Sequence, residues 1–217
     1  MASTKLFKQL GRLTGWRQKV FLLALAERSL PHLFLYGDLH GMRRQAERIR
    51  RMLDLLWQAV GQRVPQVWMQ RSLDASGLPV GAVEVVNEWR EVLDSDESFG
   101  AQAALHSLHL VEGVLLSFRT QSVQQAAALG QISFDFVTRF VEMQAGEGLD
   151  DEALVDLFES SDWCRQELQW QRRLCAALEG HQGAPESDWL AGLRTEAAND
   201  GVSGIGISAE PEEDTGN

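Results

Sequence analysis

Between residues 41 and 60, Ile49, Met52, Leu53, Leu56, Trp57 and Val60 follow one another at steps of three, one, three, one and three. That spacing stacks them on one face of an α-helix and leaves the charged residues on the other. Gly61 closes the helix. Residues 15 to 30 predict another, and its run Val20 to Ala26 is apolar nearly all round, so it is expected at a buried centre. Pro31 is expected to end that helix or restart it. Residues 65 to 74 open with Pro65 and predict a short helix, and Ser76-Gly77-Leu78-Pro79 a turn. Residues 81 to 93 hold Val83, Val85 and Val86, which would suit a strand, but a lone strand has no partner, so a helix is expected.

The second half continues in the same period. Residues 99 to 118 predict a long helix with the stripe Ala101, Ala104, Leu105, Leu108, Val111, Leu115 and Phe118. Ser122 suits the cap of the next, running to about residue 144 with Phe134, Val137, Phe140 and Val141 inward. Gly146 to Gly148 break it, Asp150 caps a short helix, and Ser160 or Ser161 caps another to about residue 179. Gly183-Ala184-Pro185 links to a last helix ending near residue 198, stopped by Asn199-Asp200-Gly201. Trp16, Trp57, Trp68, Trp89, Trp163, Trp170 and Trp189 fall mostly at stripe positions and are expected in the core. Strand signals are too few for a sheet. The expected fold is all-α: one domain of about seven to nine helices over residues 1–208, with a disordered acidic tail at 209–217.

Composition adds one feature. Hydrophobic residues at 44% and charged residues at 24% are ordinary globular values. The net charge of -11 counts against nucleic-acid binding by the molecule as a whole. Yet residues 1–71 hold 13 Lys/Arg against 4 Asp/Glu, while residues 72–217 hold 7 against 27. Such opposed halves mean internal electrostatic fit, head-to-tail association or one basic binding face. Cys164 and Cys175 fall in one predicted helix, where eleven residues put them ~16 Å apart. A disulfide needs Cα atoms within ~7 Å, so no bridge between them is expected, which suits a reducing compartment. Lys5, Lys8, Arg12, Arg17 and Lys19 ahead of Val20 to Ala26 imitate a signal peptide, but the Ala24-Leu25-Ala26 site lies inside the apolar run rather than after it. No run approaches the ~18 apolar residues of a membrane span, and a soluble cytoplasmic protein is expected.

Chemistry-bearing residues are few. Gly37-Asp38-Leu39-His40-Gly41 has the form of a first metal-binding loop in metal-dependent phosphoesterases. Such a loop needs a strand to deliver it and further Asp, Asn and His ligands from other loops, and the sequence supplies neither a second Gly-Asp nor an Asn-His. The pentapeptide is therefore expected to be a helix-to-helix connection, with Asp38 capping the arginine-rich helix. His106, His109 and Glu112 share a helix, away from the apolar stripe by a count of ~100° per residue, and are expected to be exposed. They offer too few ligands for zinc. Arg43, Arg44, Arg48, Arg50 and Arg51 crowd one helix. Arg44, Arg48 and Arg51 lie opposite its stripe as a candidate anion or partner face, with Glu47–Arg51 and Arg50–Asp54 as expected i,i+4 pairs. Glu27 and Arg28, next to the most apolar run, are candidate buried ion-pair residues. No catalytic triad order, phosphate loop or dinucleotide fingerprint is present.

Several stretches together carry a resemblance: Trp16, Phe21, Glu27-Arg28 and Pro31; Arg51 to Trp57; Glu142 to Gly146; Asp151 to Leu154; Gln169-Trp170; Leu193-Arg194; and Ser203-Gly204-Ile205-Gly206-Ile207. Over about residues 10 to 208 the chain resembles the YjaG-like bacterial proteins, the domain-of-unknown-function 416 family. The resemblance implies an all-α cytoplasmic protein and brings no activity, cofactor or catalytic residue with it. The expectation is a non-catalytic helical interaction protein with an unknown protein partner or a second copy, no cofactor and no membrane. An anion- or nucleic-acid-associated role for the Arg43 to Arg51 face comes second and a metal-dependent hydrolase last.

Overall fold

The computed structural model describes residues 2–61, 78–119, 125–146 and 148–208. The expected helix at 65–74, the first half of the 76–79 turn, Trp68, the Ser122 cap and the tail at 209–217 lie outside these residues. Among the described residues there are nine α-helices and no strand: α1 Ala2–Leu10, α2 Gly15–His40, α3 Arg43–Val60, α4 Ala82–Leu93, α5 Phe99–Arg119, α6 Gln125–Ala145, α7 Asp151–Ser160, α8 Asp162–Gly180 and α9 Ser187–Ala198. A 3-10 turn, Asn199–Gly201, follows α9.

Helix α2 is the axis of the fold. Every residue from Val20 to Glu27 is buried, and α3, α5, α6, α8 and α9 pack around it. The helix runs past Pro31 to His40 instead of stopping there. Proline removes an N–H and crowds the carbonyl four residues back. Here burial from all sides outweighs that cost, and nearby carbonyls find other donors. Ser29 Oγ donates to Ala26 O at 2.9 Å and Ser107 Oγ to Ser29 O at 2.7 Å.

The end of α2 explains the Gly-Asp-Leu-His-Gly stretch. Gly41 is the C-cap at φ 72, a left-handed conformation that side chains resist, and its N–H bonds Gly37 O. Met42 N also donates to Gly37 O at 2.7 Å. A Cβ on Gly37 would stand 3.2 Å from the Met42 backbone. The two glycines thus let α2 stop and α3 start within two residues. The connection is Gly41-Met42 alone, and Asp38 lies inside α2 rather than capping α3.

The caps at Asp150 and Ser161 form as expected: Asp150 Oδ1 accepts from Ala153 N at 2.9 Å and Ser161 Oγ from Cys164 N at 3.4 Å. Two apolar clusters result. The larger surrounds α2. The smaller joins Ala103, Phe136, Val137, Val141, Cys164 and Ile205, with Leu157 and Phe158 half-buried against it. Trp57, Trp89 and Trp170 are core residues, whereas Trp163 is 38% exposed. No described helix is long and apolar enough to cross a membrane.

Candidate functional site

Asp38 and His40 do not form a metal pair. On a helix, residues two apart face ~200° from each other. The Asp38 carboxylate takes Arg43 Nη1 at 2.8 Å, and the His40 ring stacks on Tyr36 at 4.0 Å. Among the described residues no group of three or more His, Cys, Asp or Glu side chains could hold a metal ion.

The arginines of α3 divide between inward and outward partners. Arg48 Nη1 bonds Glu88 of α4 at 2.8 Å. Arg50 Nη1 reaches Glu27 at 2.5 Å, not Asp54, whose carboxylate is held by Arg194 of α9. The i,i+4 geometry loses here because Glu27 is 1% exposed and needs a charge partner more than solvated Asp54 does. Arg51 lies 3.9 Å from Glu47, a loose exposed pair. Arg44 is exposed with no ion pair among the described residues.

Glu27 and Arg28 stand back to back on α2 and do not pair with each other. Glu27 Oε2 accepts from Trp57 Nε1 at 3.2 Å and Arg194 Nε at 3.2 Å, besides its bond from Arg50. This carboxylate therefore ties α2 to α3 and α9. Arg28 lies on the other side, 3.4 Å from Glu167 of α8, with its guanidinium 4.6 Å over the Trp170 ring. Glu167 also accepts from Ser133 Oγ at 2.9 Å and Gln171 Nε2 at 2.7 Å. The 203–207 turn covers this pair closely. A Cβ on Gly204 would sit 3.3 Å from Glu167 Oε2 and 3.4 Å from Arg28 Nε.

Beside Glu167 is a cavity of about 20 Å³, lined by Leu25, His32, His106, Phe136, Ile205 and their neighbours, at the seam between the two apolar clusters. Its size admits one water. His106 is buried, contrary to the expected exposure; its ring stacks on Phe136 at 4.3 Å, while His109 is exposed. The reason is that α5 packs on two sides: Ala103, His106, Ser107 and Leu110 are buried as well as most of the predicted stripe, of which Leu105 and Phe118 are half-buried. Burial pushes His32 down to about 4, partly opposed by a backbone hydrogen bond at Ala103. Burial, then the proximity of His32 and His109, holds His106 well below the usual imidazole range. These two rings are neutral near pH 7, and their cavity is too small for a substrate.

The open surface lies elsewhere. Helix α7 has no buried residue, and it rests on α6 and α8. A groove of about 550 Å³ runs beside it, lined by Arg139, Glu142, Met143, Gly146, Gly148, Leu149 and Leu154. Met143, Leu149 and Val155 are 47%, 40% and 55% exposed. Residues 142–162 contain eight acids and no Lys, Arg or His. Among the described residues, Glu142, Asp151, Glu152, Asp156 and Glu159 are exposed and form no ion pair. The signal for this surface was in the sequence as apolar residues interleaved with an unbroken acidic run, which helix periodicity alone did not single out.

Comparison with known proteins agrees over the whole fold. An Escherichia coli protein, uncharacterized protein YjaG, is 24% identical over 213 residues, covering 95% of this chain and 98% of that one. An uncharacterized Haemophilus influenzae protein is 22% identical over 203 residues, 92% and 95% of the two chains. The crystal structure of a DUF416 family protein from Shewanella baltica matches with TM-score 0.73 at 22% identity, over 93% of this chain and 97% of that one. The family model described as protein of unknown function DUF416 matches residues 5–208. The chain belongs to the DUF416 family.

Proposed function

We propose that this is a non-catalytic helical interaction protein whose docking surface is the groove between the end of α6 and α7. The observation that carries this reading is the exposure of α7: an amphipathic helix without one buried residue, beside exposed Met143 and Leu149. Contiguous apolar surface rimmed by polar groups is characteristic of interaction sites. The groups that could do acid–base chemistry point the other way. Glu27 and Glu167 are each 1% exposed and engaged by arginines, and the paired imidazoles face a water-sized cavity. Against the anion- or nucleic-acid reading stand the inward pairs of Arg48 and Arg50, which leave Arg44 and Arg51 as sparse outward charge.

Photo-crosslinking in the source cell tests the reading. A photoreactive residue at Leu149 or Met143, both in the groove lining, is expected to trap an adduct of defined mass. The same residue at Val83, 52% exposed on α4, is expected to trap none. Equal adducts from all three positions, or none from the groove, would remove it.

A further inference from the structure

The occupant's chemistry follows from the charge of the segment that walls the groove, residues 142–162. We propose that the α6–α7 groove receives a cationic amphipathic helix of a partner protein, an inference that rests on the docking reading above. Met143, Leu149 and Leu154 form the apolar lining, and Met offers an adaptable, polarizable contact. Glu142 lines the groove together with Arg139, the single cation in the lining, and Asp151, Glu152, Asp156 and Glu159 are further exposed carboxylates on α7, whose Leu154 lines it. A helix entering such a groove buries anchors at i, i+3 or i+4, and i+7. Those anchors span ~10.5 Å, and the ten residues of α7 extend ~15 Å, so two turns of a partner fit alongside. Lysines and arginines flanking the anchors would meet Glu142 and the negative field of the acidic 142–162 segment. Strand addition is not available, since no sheet edge exists among the described residues.

Net charge selects a foreign partner over a second copy. The basic corner of this chain, exposed Leu39 with Arg43 and Arg44, has the local chemistry to enter the groove of another molecule. But each copy carries -11 overall, so two copies repel at long range in dilute salt. A head-to-tail contact of that kind would also be heterologous and would need a ring to close. A cationic partner is drawn in by the same field that keeps copies apart.

The test uses the full chain and a roughly 18-residue amidated peptide with Leu at i, i+3, i+4 and i+7 and Lys elsewhere. Fluorescence anisotropy at low salt is expected to show saturable binding that weakens about tenfold or more on adding ~0.3 M salt. Leu149→Asp, or Glu142→Lys, both in the lining, is expected to weaken it about tenfold, and Val83→Asp on α4 to leave it unchanged. These side chains are already in solvent, so the variants keep the fold, which circular dichroism verifies. A Leu/Glu peptide and a scrambled Leu/Lys peptide of equal charge are expected to bind at least about tenfold more weakly. Absence of saturable binding, indifference to the groove substitutions, or equal binding of the scramble overturns the proposal. So does concentration-dependent self-association abolished by Leu149→Asp, which would assign the groove to a second copy. Crosslinks at Leu149 or Met143 that persist while the peptide fails would leave the docking reading standing and refute this occupant alone.

Discussion

Lowering the pH from 7 to 5 should destabilise the protein through His32, and replacing that residue with Phe should remove the effect. His32 is 4% exposed, and burial holds its folded value at about 4 against an ordinary 6.5. Because the folded value is depressed, the unfolded chain takes up the proton first. Stability is therefore fully present above ~6.5, falls as the pH drops toward ~4, and changes no further below that, where both states are protonated. Integrating the linkage from pH 7 to 5 gives about 2 kcal/mol, a large share of the ~5–15 kcal/mol that holds a domain together. His106, also depressed, adds to the loss in the same direction and stays in place in the variant. The other charges near the pair are Arg28 and Glu167, which offset each other, and His109 on α5. The replacement loses the 3.3 Å contact of His32 Nδ1 with Ser107 Oγ and the backbone hydrogen bond at Ala103, a cost present at both pH values that cancels in the comparison. His32 Nε2 has no partner to lose, and Ser107 Oγ keeps its bond to Ser29 O at 2.7 Å. Urea unfolding of both proteins at pH 7 and pH 5 measures the difference. The native sequence should lose about 2 kcal/mol more than His32→Phe. Equal losses, within ~0.5 kcal/mol, would refute a buried neutral imidazole at this position.

Further expectations follow from the other networks. Glu27→Ala leaves Arg50, Arg194 and buried Trp57 Nε1 without their shared acceptor and should cost about 3–5 kcal/mol in urea unfolding. Gly130→Ala should cost about 1–3 kcal/mol, since a Cβ there would stand 2.9 Å from both Gln171 Oε1 and Leu10 Cδ1 where α1, α6 and α8 meet. Arg48→Glu should destabilise by about 1 kcal/mol by facing Glu88, while Arg44→Glu should stay within ~0.5 kcal/mol. A reversed order in thermal melts would mean that Arg44 has an inward partner. At physiological salt, gel shifts with DNA or RNA should show no specific complex, and a complex lost in the Arg44, Arg48 and Arg51 triple reversal would restore the nucleic-acid reading.

Local pattern and tertiary context divide what the sequence discloses. The α3 stripe from Ile49 to Val60 and the caps at Asp150 and Ser161 are legible because each is decided within a few residues. The passage of α2 through Pro31 is not, because neighbouring helices override a local breaker. Nor is the burial of His106, because α5 is covered on a second face by elements distant in the chain. Glu27 and Arg28 stand out in sequence as charges beside an apolar run. Their partners at Arg50, Arg194 and Glu167 lie 23, 167 and 139 positions away, and only the fold brings them together. The groove belongs to the same class. Its acids and apolar residues are adjacent in sequence, but exposure of α7 is a fact about packing.

The docking surface is tested most directly by nuclear magnetic resonance, for which a 24.2 kDa chain is well suited. Titrating the Leu/Lys peptide into isotope-labelled protein should shift amide signals within residues 142–163 and leave those of α3 in place. Shifts centred on Arg43–Val60, or no localised shifts at all, would contradict a groove at α6 and α7.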